Sequence, residues 1–134
     1  MRIFLSFYLL CAFVPIQGNS EYQFIGRHLV AEYYGCDKKA ILSDKKLEKA
    51  MLQASRASGA TVLRSVGYHF TPNGYSLVIL LSESHASIHT YPEKRACFVD
   101  LFTCGTHCDS KKFEKVLQEY LRPEKTHSQV IDRK

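Results

Sequence analysis

Apolar residues recur along this chain at every second position in some stretches and at every third or fourth in others, and the change of period divides it into elements. From Phe24 to Tyr34, the residues Leu29, Ala31 and Tyr33 alternate with His28, Val30 and Glu32, which predicts a first strand ended by Gly35-Cys36-Asp37. Ser43 or Asp44 offers a helix cap, and Leu47, Ala50, Met51, Ala54 and Ala57 follow at helical spacing until Gly59. Thr61 to Val66 is short and reads as a second strand, and Thr71-Pro72-Asn73-Gly74 as a turn into a third at Tyr75 to Leu81. Ser84 to Thr90 predicts a half-polar fourth strand closed by Pro92, and Ala96 to Phe102 a fifth. Asp109-Ser110 caps a second helix, whose Phe113, Val116, Leu117, Tyr120 and Leu121 form one apolar stripe before Pro123. The order β, α, four β, α has no long crossover after the second strand. It predicts an α+β fold, a mostly antiparallel sheet with two amphipathic helices packed on one face.

The two ends depart from this pattern. Arg2 precedes an apolar run from Ile3 to Val14, then Pro15 and Gly18-Asn19-Ser20, the layout of a secretory signal and too short to span a bilayer. An accessory N-terminal helix or a misplaced start codon is the alternative, so the location, cytoplasm or export, stays open. Residues 19–123 are expected to form a single domain, and 124–134 a loose polar tail.

Composition narrows the function classes. A chain of 134 residues is large enough for a core without metal or disulfide staples. The net charge of +5 is spread among interleaved acidic residues, which argues against a nucleic-acid partner. Beyond Cys11 the cysteines are Cys36, Cys97, Cys104 and Cys108. Cys97 and Cys104 lie about 23 Å apart if both are on one strand, too far to bond each other. Cys97, Cys104, His107 and Cys108 lack the paired spacing of a zinc site, so no metal is expected.

The candidate chemistry lies between Ser76 and Cys104. The apolar run Leu77 to Leu81 stops at Ser82-Glu83-Ser84-His85, and a second run, Ala96 to Phe102, leads to Cys104-Gly105. Two strands thus each deliver a reactive side chain, a rigid frame for a site. Alone, Glu83-Ser84-His85 reads as a polar turn, since no Gly-x-Ser-x-Gly surrounds it. The wider set is more specific. Phe70, Pro72, Gly74, Ser76, Ser82-Glu83-Ser84-His85, Ile88-His89-Thr90-Tyr91-Pro92-Glu93 and Asp100-Leu101-Phe102-Thr103-Cys104-Gly105 together resemble the small bacterial and archaeal S-adenosylmethionine decarboxylase proenzymes. Gly26-Arg27-His28-Leu29-Val30-Ala31-Glu32-Tyr33-Tyr34 is similar to that family's first strand, and the resemblance runs in order from about Gly26 to Leu121.

That resemblance implies a proenzyme that cuts itself between Glu83 and Ser84, converting Ser84 into a pyruvoyl group that serves as the cofactor and forms a Schiff base with the substrate amine. It further implies that His89 assists the elimination step, that Ser76 assists the acyl shift, and that Cys104 returns a proton to the substrate carbon. Phe70 and Tyr91 would sandwich adenine, and Glu93 would bind the ribose hydroxyls or the substrate's charged end. A dimer of cleaved protomers, with S-adenosylmethionine as substrate and spermidine synthesis as destination, follows from the same likeness. His28, His69, His107 and Cys36 read as packing or surface residues. An odd separation places Ser84 and His89 on opposite faces of a regular strand, so a turn or bulge at Glu83-Ser84 is expected to reset the parity. The chain departs from the family at Tyr91, where a tryptophan is usual, and at Lys94-Arg95-Ala96-Cys97. Arginine or ornithine is accordingly an alternative substrate for the same chemistry, and a non-catalytic binding or regulatory relative is the alternative to both.

Overall fold

A computed structural model describes residues 24–134; the signal-like segment 1–18 lies outside the described residues. Strands β1 (Gly26–Tyr34), β2 (Val62–His69), β3 (Tyr75–Leu81), β4 (Ser84–Tyr91), β5 (Ala96–Cys104) and β6 (Lys125–Arg133) form one sheet. Its spatial order is β2-β3-β4-β5-β1-β6, with every neighbouring pair antiparallel. Helices α1 (Lys38–Ile41), α2 (Asp44–Ala57) and α3 (Ser110–Leu121) accompany it. The α+β expectation is met.

The period-two residues explain the layering. Leu29, Ala31 and Tyr33 of β1, Leu77, Ile79 and Leu81 of β3, Ala86 and Ile88 of β4, and Val99 and Leu101 of β5 are all buried. They share one core with Leu47, Met51 and Ala54 of α2 and Phe113, Leu117 and Leu121 of α3. Each fully buried side chain of this size contributes roughly 1.5–3 kcal/mol. The alternate positions, among them Val78, Leu80 and Phe98, lie on the other face and are exposed, since no helix among the described residues covers it.

Three elements differ from expectation. Residues 125–133, read as a tail, form β6, which pairs with β1 along all nine residues of that strand. An edge strand satisfies its backbone through the ladder while its side chains stay in water, so it carries no apolar period to read. Helix α1 is too short for a period; Asp37 caps it by accepting from the Ala40 N–H at 2.9 Å. Strand β2 continues past Val66 to His69, since its partner β3 offers a full ladder as far as Tyr75.

Phe113 is fully buried between the helices and the sheet. Phe113→Ala is expected to lower unfolding free energy in a denaturant titration by about 3–5 kcal/mol, with Lys112→Ala changing it by less than about 0.5 kcal/mol.

Candidate functional site at the β3–β4 corner

Strands β3 and β4 are joined by Ser82 and Glu83 alone, with Leu81 opposite Ser84. So short a link favours backbone of positive φ, and here it falls on a serine: Ser84 has φ 145°. Such a conformation in a residue with a side chain stores on the order of 1–3 kcal/mol and persists only where its surroundings hold it.

The surroundings are explicit. The Ser82 N–H donates to the Thr61 carbonyl at 2.9 Å, and the Thr61 N–H donates to Glu83 Oε2 at 2.9 Å. His107 Nε2 lies 3.4 Å from Glu83 Oε1. The Cys104 N–H donates to the Glu83 main-chain carbonyl at 2.9 Å. Burial raises the Glu83 carboxyl, but the N–H groups of Thr61 and Glu83 itself and the His107 ring outweigh it, leaving the group below the ordinary carboxylate range. The corner opens on a cavity of about 410 Å³ lined by Ser84, Glu83, Phe102, Cys104, Gly26 and Arg133. Cys104 is a free, half-buried thiol.

The other expected residues gather elsewhere. Ser76 Oγ and His89 Nδ1 are 2.7 Å apart. Tyr91 packs on Phe98 with ring centres 5.4 Å apart, and Phe70 on Tyr68 at 4.8 Å. Glu93 is exposed on the short 3₁₀ turn after Tyr91. All of these stand at the far end of β4: five residues separate Ser84 from His89, about 17 Å of strand. No bulge resets the parity. The β3–β4 and β4–β5 registers run unbroken from Ser84, so His89 faces the open side while Ser84 occupies a helix-side ladder position. Within one chain, then, the geometry makes two clusters rather than one site.

Two histidines read as surface or packing residues hold carboxylates. His107 contacts Glu83, and His28 Nε2 lies 3.0 Å from Asp100 Oδ1, midway along the open face. Ser87 Oγ donates to the other Asp100 oxygen at 3.3 Å. Neither long-range pairing has a sequence signal, since each spans an unrelated number of residues. The Cys104 N–H is likewise invisible in sequence, being backbone. Among the described residues no group of three or more His, Cys, Asp or Glu side chains is placed to hold a metal ion.

A family profile described as S-adenosylmethionine decarboxylase matches residues 27–134. The chain belongs to the S-adenosylmethionine decarboxylase family. It is 43% identical over 103 residues to an S-adenosylmethionine decarboxylase proenzyme of Thermosipho africanus, covering 77% of this chain and 79% of that one. To the proenzyme of Methanococcus maripaludis it is 38% identical over 109 residues, covering 81% and 89%. The crystal structure of the adenosylmethionine decarboxylase from Aquifex aeolicus superposes with a TM-score of 0.75 at 32% identity, covering 81% and 90%. A monomer of the Trypanosoma brucei enzyme shares the fold, with TM-score 0.59 and 18% identity over 78% of this chain and 45% of that one. Like its family, the chain is a decarboxylase.

Because the folded-state pKa of Glu83 is depressed, its carboxylate stabilises the corner above the ordinary carboxylate range, and the contribution fades as pH falls through the depressed value. In a Ser84→Ala background, Glu83→Gln is expected to lower the melting temperature at neutral pH. The difference from Ser84→Ala alone should close below the Glu83 titration seen by carboxyl NMR.

Proposed function

We propose that this chain is a self-cleaving, pyruvoyl-dependent decarboxylase of S-adenosylmethionine that supplies the aminopropyl donor for spermidine and polyamine synthesis. The observation that carries the reading is the corner itself. A serine with φ 145° follows a carbonyl that already accepts a 2.9 Å hydrogen bond from Cys104. That arrangement fits conversion of Ser84 into the cofactor, since the serine backbone next to the bond to be broken is strained and that bond's oxygen is held by a donor.

The Ser84 hydroxyl adds to the Glu83 carbonyl carbon, and the Cys104 N–H stabilises the negative charge that develops on the oxygen. Collapse breaks the C–N bond, so an ester replaces the amide and the Ser84 amino group is freed. Removal of the Ser84 Cα proton expels the Glu83 carboxylate and leaves dehydroalanine, which tautomerises, takes up water and releases ammonia. The pyruvoyl group so formed supplies a ketone for the substrate amine and a sink for the electron pair released with carbon dioxide. The Cys104 thiol returns a proton to the substrate carbon.

The working unit in this reading is a dimer. His89 stands about 17 Å along the strand from its own Ser84, out of proton-transfer reach. A twofold axis running across the strands, with the open faces together, carries each Ser84 corner onto the partner's His89 end. There the partner's His89 takes the Ser84 Cα proton, and the partner's Ser76 adds a second donor for the Glu83 oxygen. The partner's Phe70 and Tyr91 stack on adenine, with the partner's Glu93 at the ribose. The same contact covers Val66, Val78, Leu80, Phe98 and Ile131, each at least 40% exposed in one chain. Such a row of apolar side chains on one sheet face favours association.

Intact-mass spectrometry of the purified chain is expected to give two fragments parting at Glu83–Ser84, the second lighter by one ammonia than a serine-started peptide. An intact wild-type chain would sink the reading. His89→Ala and Ser84→Ala chains should each stay uncut alone; co-expressed, the His89→Ala chain should be cleaved, drawing on the partner's His89. Failure of that rescue removes the shared site. Carbon dioxide release is expected from S-adenosylmethionine and not from arginine or ornithine.

Cys104 plays two separable parts, through its N–H and through its thiol. Cys104→Ala keeps the N–H, so cleavage should persist while decarboxylation falls by about 100-fold or more.

A further inference from the structure

Arg133 ends β6 on the open face, two strands from the thiol: Cys104 pairs with Gly26, and Gly26 pairs with Arg133. Glycine is required between them. A Cβ at Gly26 would lie 2.5 Å from Phe102 Cε2, so the Phe102 ring fills the space that a side chain would take. The guanidinium carbon of Arg133 sits 4.4 Å from the centre of that ring. Both side chains line the cavity onto which Ser84 and Cys104 open.

Among the described residues no carboxylate lies within ion-pairing distance of Arg133; its neighbour Asp132 faces Arg27 at 3.6 Å instead. Glu83, the one acidic residue among those described along the cavity, is engaged by Thr61 and His107. Lys134 adds a second cation to the same wall. The cavity therefore holds cations beside the reacting atoms, with a guanidinium set against an aromatic face and its N–H edge without a carboxylate partner among the described residues.

We propose that Arg133 recognises the α-carboxylate of the substrate, an inference that rests on the decarboxylase reading above. The substrate amine condenses at position 84, and the thiol of Cys104 addresses the same α-carbon. The carboxylate is one bond from that carbon, and Arg133 is the cation across Gly26 from the thiol. The planar fork of a guanidinium matches a carboxylate with two parallel hydrogen bonds. Charge also orients the rest of the molecule. Arg133 and Lys134 repel the sulfonium of S-adenosylmethionine and direct the nucleoside end away, toward the aromatic residues and Glu93. The decarboxylated product lacks the carboxylate and loses this contact, which favours its release over retention.

The contact belongs to the ground state, so its removal falls on KM rather than on kcat. In Arg133→Gln, KM for S-adenosylmethionine is expected to rise roughly 10- to 100-fold with kcat unchanged or higher, and Arg133→Lys to recover part of it. Inhibition by decarboxylated S-adenosylmethionine should be the same in all three proteins. Fragment masses after purification report whether the self-cleavage reading stands and whether the variant is folded. An unchanged KM in fully cleaved Arg133→Gln would overturn the proposal, as would an equal loss of affinity for substrate and product, which marks Arg133 as packing for Phe102. Loss of cleavage in Arg133→Gln alone would overturn it too, by assigning the residue to processing. An uncleaved wild-type chain would remove the parent reading and this one with it.

Discussion

The shortness of the link between β3 and β4 is the constraint on which the rest of the site depends. A two-residue link between twisted strands favours backbone of positive φ, and here that backbone falls on Ser84, the first residue of β4, rather than on a glycine. A glycine would remove the strain and with it the hydroxyl. The cost is met by hydrogen bonds from both sides: Thr61 holds the Glu83 side chain, and Cys104 holds the Glu83 carbonyl. The latter bond does two things at once. It closes the β4–β5 ladder at its end, and it aims an N–H at the oxygen of the bond between Glu83 and Ser84.

An unbroken ladder has a second consequence. Because the register of β4 never slips, His89 and Ser84 remain far apart and differ in the face they address. A bulge could have brought them onto one face but could not have shortened the strand between them. The distance, about 17 Å, separates the two clusters within one protomer more than the parity does. The uncovered sheet face, with Val78, Leu80 and Phe98 turned to solvent, is the complementary fact: among the described residues no helix covers it, and His89 and Cys104 both stand at positions on that face.

Much of the fold was legible because it rests on periodicity. Strand β3 and helix α3 fall where their apolar residues put them, and the buried set Leu29, Ala31, Tyr33 was readable as one face of a strand. Strand β6 was not, since its side chains bury little and its order comes from backbone pairing with β1. The site was legible as a set of residue types and not as an arrangement. Resemblance to a family linked Ser84 to His89 and Cys104, yet a likeness along the chain says nothing of how far apart the fold sets them. His107 and His28 were passed over because their carboxylate partners lie 24 and 72 residues away. Arg133 was passed over because its stretch read as a tail.

The residues that set this chain apart from its family bear on substrate choice. Lys94 and Arg95 look in sequence like two new cations beside Glu93, fit to select a different amine. Arg95 is otherwise occupied. Its Nε and Nη2 donate to the carbonyls of Cys36 and Gly35 at 2.9 and 2.8 Å, and Nη2 lies 3.1 Å from a Glu124 oxygen. It ties the end of β1 to the start of β6. At Tyr91 the smaller ring is braced by Phe98 from the adjacent strand, so an aromatic wall persists. An α-carboxylate is common to S-adenosylmethionine, arginine and ornithine, so a cation at Arg133 does not choose among them. The choice falls to the other end of the path, where Tyr91 and Phe98 present aromatic faces that match a flat base in area.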